Sequence, residues 1–97
     1  MFNIELTESA LEDLHYLKKF EQALVLDAIE MQLSAEPMAP TGNRKQLRPN
    51  DLSAWELRIG KYRAFYDVNT EGKVVKIKAV GWKEHNRLYI HGKEFVL

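Results

Sequence analysis

The chain predicts a two-layer α+β domain: an N-terminal strand and a helical hairpin on one side, an antiparallel meander of three to four strands on the other. Three observations carry that prediction. Apolar residues recur at helical spacing from Ala10 to Leu33, the period switches to two from Trp55 onward, and a loop containing proline and glycine separates the two regimes. With 97 residues there is room for a single domain spanning 1–97.

The elements follow in order. Phe2 to Leu6 alternates apolar and polar, the pattern of a half-buried strand. Thr7 or Ser9 can then cap a helix, and Ser9 to Glu12 has the spacing of a capping box. Ala10, Leu14 and Leu17 fall on one helical face, with Glu12, Asp13 and Lys18 off it. Lys18 and Lys19 are placed at that helix's C-terminus, where they suit its dipole. After a break near Phe20, Val25, Ile29 and Leu33 define a second apolar stripe, widened by Leu26. Pro37, Pro40 and Gly42 end it. Trp55, Leu57 and Ile59 alternate with Glu56 and Arg58 as a strand, Gly60-Lys61 turns, and Tyr62 to Val68 returns. A loop at Asn69–Gly72 leads to Val75, Ile77 and Ala79 in a further strand ending near Gly81. A short extra strand around Gln46–Arg48 is allowed, and Trp82 to Leu97 is read as a turn of helix and a loose end.

Composition excludes several classes. The chain is 45% hydrophobic and 29% charged, in the globular range. It has no cysteine, hence no disulfide, no thiolate metal site and no cysteine nucleophile. No apolar run approaches the ~20 residues of a membrane span, and no export signal opens the chain. A cytoplasmic location without membrane attachment is expected. The zero net charge conceals a division: residues 1–42 hold two bases against eight acids, and residues 43–97 hold twelve bases against six acids. Acids favoured on exposed helices account for part of this. The basic half also suits a polyanion.

If Trp55, Leu57, Ile59, Val75, Ile77 and Ala79 face the helices, the opposite sheet face carries Glu56, Arg58, Arg63, Phe65, Lys76 and Lys78. Cations there would hold phosphates, and a ring would stack on an unpaired base. Tyr62 and Tyr66 share the inward parity. Metal-free phosphodiester cleavage needs a base for the 2′-OH, cations for the phosphorane and an acid for the leaving oxygen. Glu56 is the candidate base, Arg58, Arg63 and Lys83 the candidate cations, and His85 the candidate acid. Arg87 and Tyr89 close the same polar run. No metal, glycine-rich phosphate loop or organic cofactor is expected.

Two strings are similar to those of a known family. Trp55-Glu-Leu-Arg-Ile-Gly-Lys-Tyr-Arg-Ala-Phe-Tyr-Asp-Val68 resembles the core strand motif of the RelE/ParE toxin superfamily, and Ile77-Lys-Ala-Val-Gly-Trp-Lys-Glu-His-Asn-Arg-Leu-Tyr89 resembles the segment after it. With the opening strand and helical hairpin, the resemblance covers nearly the whole chain. It implies a RelE-like fold and a toxin of a type II toxin–antitoxin pair, with a separate antitoxin protein as partner and DNA contacted only through that antitoxin. RelE-like members cut mRNA in the ribosomal A site, leaving a 2′,3′-cyclic phosphate and a 5′-hydroxyl, whereas ParE-type members poison DNA gyrase. By the resemblance, Arg63 contacts the scissile phosphate, Lys83 stands where an acid or charge stabiliser is common, His85 where some relatives carry a catalytic histidine, and Tyr89 at the closing aromatic. Glu56 and Arg58 depart from the RelE type, which has a pair of lysines there. Arginine stays protonated and is a poor base, so cleavage by this chain would rely on Glu56 and not on a copied lysine pair. An inert relative that only binds antitoxin is the remaining alternative.

Overall fold

The computed structural model describes all residues, Met1–Leu97. In chain order the elements are β1 (Asn3–Leu6), α1 (Glu8–Leu14), α2 (Lys19–Leu33), β2 (Arg44–Gln46), β3 (Trp55–Ile59), β4 (Tyr62–Asn69), β5 (Val74–Glu84), β6 (Arg87–Ile90) and β7 (Lys93–Glu94). Strands β2 to β7 form a continuous antiparallel meander, and β1 pairs parallel to β5. The α+β class and the segregation of helices to one sheet face agree with the sequence.

Each helix is anchored by a cap that also ties it to the sheet. Thr7, rather than Ser9, caps α1: its hydroxyl accepts the Ala10 N–H and donates to the Ile77 carbonyl of β5. Helix α1 ends at Leu14, earlier than the apolar spacing suggests, so Leu17 packs from the connection. Lys18 and Lys19 therefore stand at the start of α2, not at the end of α1, and Phe20 lies inside α2. The Glu21 carboxylate accepts the Lys18 N–H at 2.8 Å, satisfying an amide the helix start leaves open. At the other end Arg44 donates to the Gln32 and Ala39 carbonyls, supplying positive charge where the dipole favours it.

The main core lies between helices and sheet. Val25, Ile29 and Leu33 of α2 meet Trp55, Leu57, Tyr66 and Ile77, and each such aliphatic burial contributes roughly 1.5–3 kcal/mol. Leu26 is half-exposed and lies outside this stripe.

Strand β5 departs most from its expected form. It runs eleven residues, with a register shift opposite Phe65 and Tyr66. Phe65 pairs with Ala79, but Tyr66 pairs with Ile77, leaving Lys78 as the extra residue of a bulge. The bulge resets the alternation, so Ala79 faces away from the helices and Val80 joins the main core. Beyond it β5 continues into two hairpins, where the sequence pointed to a turn of helix. His85 and Asn86 have φ of 50° and 66°, and His91 and Gly92 have 59° and 74°. Two consecutive left-handed residues make the tight turn that a right-twisted hairpin prefers.

On its second side β5 pairs with β1 as far as Ile77 and with β6 from Gly81. Helix α1 covers the gap. Asp13, expected off the apolar face, is 2% exposed there. One carboxylate oxygen accepts the Val80 N–H at 3.0 Å and the other meets His91 Nδ1 at 2.8 Å.

Asp13→Ala is therefore expected to cost about 1–3 kcal/mol from the orphaned Val80 amide alone, read as a lower urea midpoint with unchanged slope; an unchanged midpoint would remove this bridge from the fold's support. Gly81→Ala should also destabilise, by about 1–3 kcal/mol of overpacking, because a methyl at 81 runs into the Tyr89 carbonyl and the Ile90 side chain.

Candidate functional site

Cross-strand partners share a sheet face, so register fixes which side chains meet. Away from the helices, Lys45, Glu56, Phe65 and Ala79 lie in one row. Arg58, Arg63, Gly81 and Ile90 form the next, and Lys83 lies beyond, opposite Leu88. Glu56, Arg58, Arg63 and Lys83 are thus brought to one end of the outer face.

Arg63 is the centre of that end. It is only 7% exposed, and its Nη1 donates to the Gly60 carbonyl at 2.7 Å and the Tyr62 carbonyl at 2.8 Å. Its buried Nε has no acceptor. Burial pulls the guanidinium's proton affinity down, Glu56 raises it and Arg58 lowers it; arginine remains a cation throughout. A groove of about 320 Å³ runs past this end, bordered by Glu56, Lys83, Arg87 and Leu88. Arg87 is exposed and forms a 3.8 Å ion pair with Glu94. A second hollow of about 290 Å³ at the sheet edge is lined by Lys45, Glu56 and Arg58 with residues of the 40–44 loop.

The remaining expected residues lie elsewhere. Phe65 is fully buried with Ala79 and Leu88 under Leu47, Leu52 and Ile90, so it offers no ring to a base. This apolar plug separates Lys76 and Lys78 from the Arg63 end; they border a hollow of about 360 Å³ beside Glu5 and Asp67. The continuous basic floor is therefore two basic territories. Tyr89 faces the helix side, stacked on Trp82 at 6.0 Å between centroids, with Trp82 opposite Tyr62. His85 is exposed at the tip of the β5–β6 turn and makes no hydrogen bond to Glu56, Arg63 or Lys83.

Sequence reasoning missed two features around the last hairpin. The Asp13–His91 pair gave no signal, because an acid and a histidine 78 positions apart are joined only by the fold. The closing segment has no periodicity and reads as a loose end, yet Phe95 to Leu97 borders the groove with Glu56 and Lys83. No group of three His, Asp or Glu side chains is arranged to hold a metal ion, and no helix is long and apolar enough to cross a membrane.

On the helix side, the Tyr62 hydroxyl donates to the Glu21 carboxylate. Burial, then this bond, pushes the Tyr62 phenol from 10.0 up to about 12, and the same bond is the main cause holding Glu21 below its usual range. The folded chain thus prefers neutral Tyr62, so this contribution is complete below pH 10 and lost as pH rises towards about 12. Stability measured against pH should fall more steeply across that window in the wild type than in Tyr62→Phe; parallel curves would show the phenol to be unperturbed.

Comparison with known proteins adds family and fold. The family model described as ParE toxin of type II toxin-antitoxin system, parDE, matches residues 4–87. A search of curated protein sequences gives no match. A chain in the crystal structure of the toxin–antitoxin complex RelBE2 from Mycobacterium tuberculosis is 29% identical, with a TM-score of 0.74 over 84% of this chain and 91% of that one. A chain of the archaeal RelE–RelB complex from Pyrococcus horikoshii OT3 is 24% identical, with a TM-score of 0.69 over 87% and 97%. A chain of the intact E. coli RelBE complex is 20% identical, with a TM-score of 0.50 over 88% and 100%; these last two speak to fold alone.

Proposed function

The chain belongs to the ParE toxin family of type II toxin–antitoxin systems, and we propose that this toxin is a metal-independent endoribonuclease acting on mRNA in the cytoplasm, with the ribosomal A site as its place of action. The observation that carries the reading is Arg63: a desolvated cation, pinned by two carbonyls, with a buried Nε that no group of the protein satisfies. A cation with so little hydration favours an anion against its remaining exposed edge, and a phosphate oxygen is the acceptor assigned there.

The chemistry assigned to this end is transesterification. The Glu56 carboxylate takes the proton of a ribose 2′-OH, and the 2′-oxygen forms a bond to phosphorus. Arg63, with Arg58, holds the negative charge that gathers on the phosphorane oxygens. The bond from phosphorus to the 5′-oxygen then breaks, and the leaving oxygen takes a proton from Lys83 or from His85 after movement of its exposed turn. The products are a 2′,3′-cyclic phosphate and a 5′-hydroxyl. Lys45 and Arg87 flank the path and suit backbone phosphates on either side. Lys76 and Lys78 contribute at the far territory, past the apolar plug. A separate antitoxin is the proposed protein partner, consistent with the toxin–antitoxin complexes that supply the structural neighbours.

A second reading, gyrase inhibition, draws on the positions of Tyr89 and His85. With Tyr89 across the sheet and His85 at a turn tip, the aromatic and the histidine do not converge on Arg63. A toxin that binds without cutting needs no such convergence.

Primer extension on a defined mRNA, in cell-free translation and on naked RNA, separates these readings. Cuts confined to A-site codons support the proposal, and intact message together with inhibited supercoiling by purified gyrase overturns it in favour of the second reading. Arg63→Ala should lower cleavage by roughly 10²–10³, the usual effect of removing a charge-stabilising donor, with the antitoxin complex still formed. Unaltered cleavage would take Arg63 out of the chemistry.

A further inference from the structure

The closing residues border the groove that the proposed function assigns to nucleic acid. Strand β7 turns back along β6 through His91 and Gly92, and the Phe95 N–H donates to the Leu88 carbonyl at 2.8 Å. From there Phe95, Val96 and Leu97 border the groove that also contains Glu56 and Lys83. Leu97 reaches a further cavity of about 560 Å³ lined by Lys45, Leu47 and Arg48. The segment thus runs from β6 towards β2, between the bases of the two sheet edges.

Its attachments are few. Past β7, the Phe95 amide supplies the one backbone hydrogen bond. The neighbouring Arg87–Glu94 pair is solvent-exposed at 3.8 Å, a type that contributes little. Phe95, Val96 and Leu97 are 37%, 85% and 52% exposed, so their apolar surface is only partly covered. The same ion pair occupies Arg87, a cation assigned to the polyanion path. The groove sets Lys83 and Arg87 against Glu56 and Glu94, and three apolar side chains along its border take space that a nucleic acid would need.

We propose that residues 95–97 form an autoinhibitory strap over the Glu56–Lys83 groove, which an incoming single-stranded polyanion must displace. The inference rests on the reading of this face as the nucleic-acid side. The strap masks the site while leaving it intact, and its apparent affinity is reduced by the fraction of molecules in which the strap is lifted.

The test compares the wild-type chain with the Phe95→Ala/Leu97→Ala double variant by two measurements. The first is the rate at which Lys83 is acetylated, read by mass spectrometry, with Lys73 as the internal reference. The second is binding of a fluorescein-labelled single-stranded RNA by anisotropy. The strap predicts faster Lys83 acetylation in the variant and an affinity higher by roughly three- to tenfold, the masking expected when a site is open in about a tenth to a third of molecules. Equal Lys83 rates overturn the strap. So does equal or weaker RNA binding by the variant when the wild type binds. If neither protein binds the RNA or mRNA-programmed ribosomes, the nucleic-acid reading fails and with it the inhibitory role. The Lys83 rates then report whether the segment covers the groove.

Discussion

The fold turns on the buried carboxylate of Asp13. Strand β5 cannot be paired along its whole second side, because β1 ends opposite Ile77 and β6 begins opposite Gly81. Between them a backbone amide faces inward with no strand to receive it, and a buried unpaired amide is costly. Asp13 supplies that acceptor from α1 and meets His91 with its other oxygen. One side chain therefore joins the first helix, the central strand and the last hairpin. The Tyr16 ring, 4.8 Å from that of His91, closes the junction on its solvent side. Because His91 heads the turn into β7, the same carboxylate also fixes where the closing segment begins its path across the outer face.

The bulge at Lys78 has a comparable reach. Strict alternation along β5 would have put Ala79 among the helices and left a broad basic floor behind. The extra residue turns Ala79 outward beside Phe65, and the loop residues Leu47 and Leu52 close over them. Burying this second cluster stabilises the far side of the sheet, which the helices do not cover. It also divides the outer face: a short cluster around Arg63 is separated by apolar surface from the lysines of β5, in place of a long positive track.

How far the sequence reaches is clearest strand by strand. Trp55, Leu57 and Ile59, then Tyr62 and Tyr66, reveal their inward parity because period-two alternation acts locally and nothing interrupts it. The same rule fails at Ala79, since one inserted residue reverses every later assignment and bulges leave little trace in residue type. It also misses β6 and β7, whose turns use His85-Asn86 and His91-Gly92 in place of the Asn-Gly or Asp-Gly pairs that mark such turns in a sequence. Arg63, Glu56, Arg58 and Lys83 could be named together because two of them sit opposite each other on adjacent strands. Tyr89 and His85 could not be placed, because their positions depend on where β5 ends.

Arg63 brings structure and chemistry into conflict at one point. Its neighbour directly across the β3–β4 ladder is Arg58, and like charges directly opposite are destabilising. Its guanidinium is largely removed from water, and one N–H faces no acceptor. For a resting protein these three features are all unfavourable. Glu56 offsets part of the repulsion but leaves Nε unsatisfied. An apolar residue of similar volume would suit an empty site better, since buried charges are often outperformed by well-packed hydrophobes. Under the proposed function one ligand property would offset two of the three: an anion would neutralise the Arg58–Arg63 repulsion and replace lost hydration. Local violations of folding rules tend to gather at functional sites, and on this sheet they gather around one arginine, which is why the proposed chemistry is centred there.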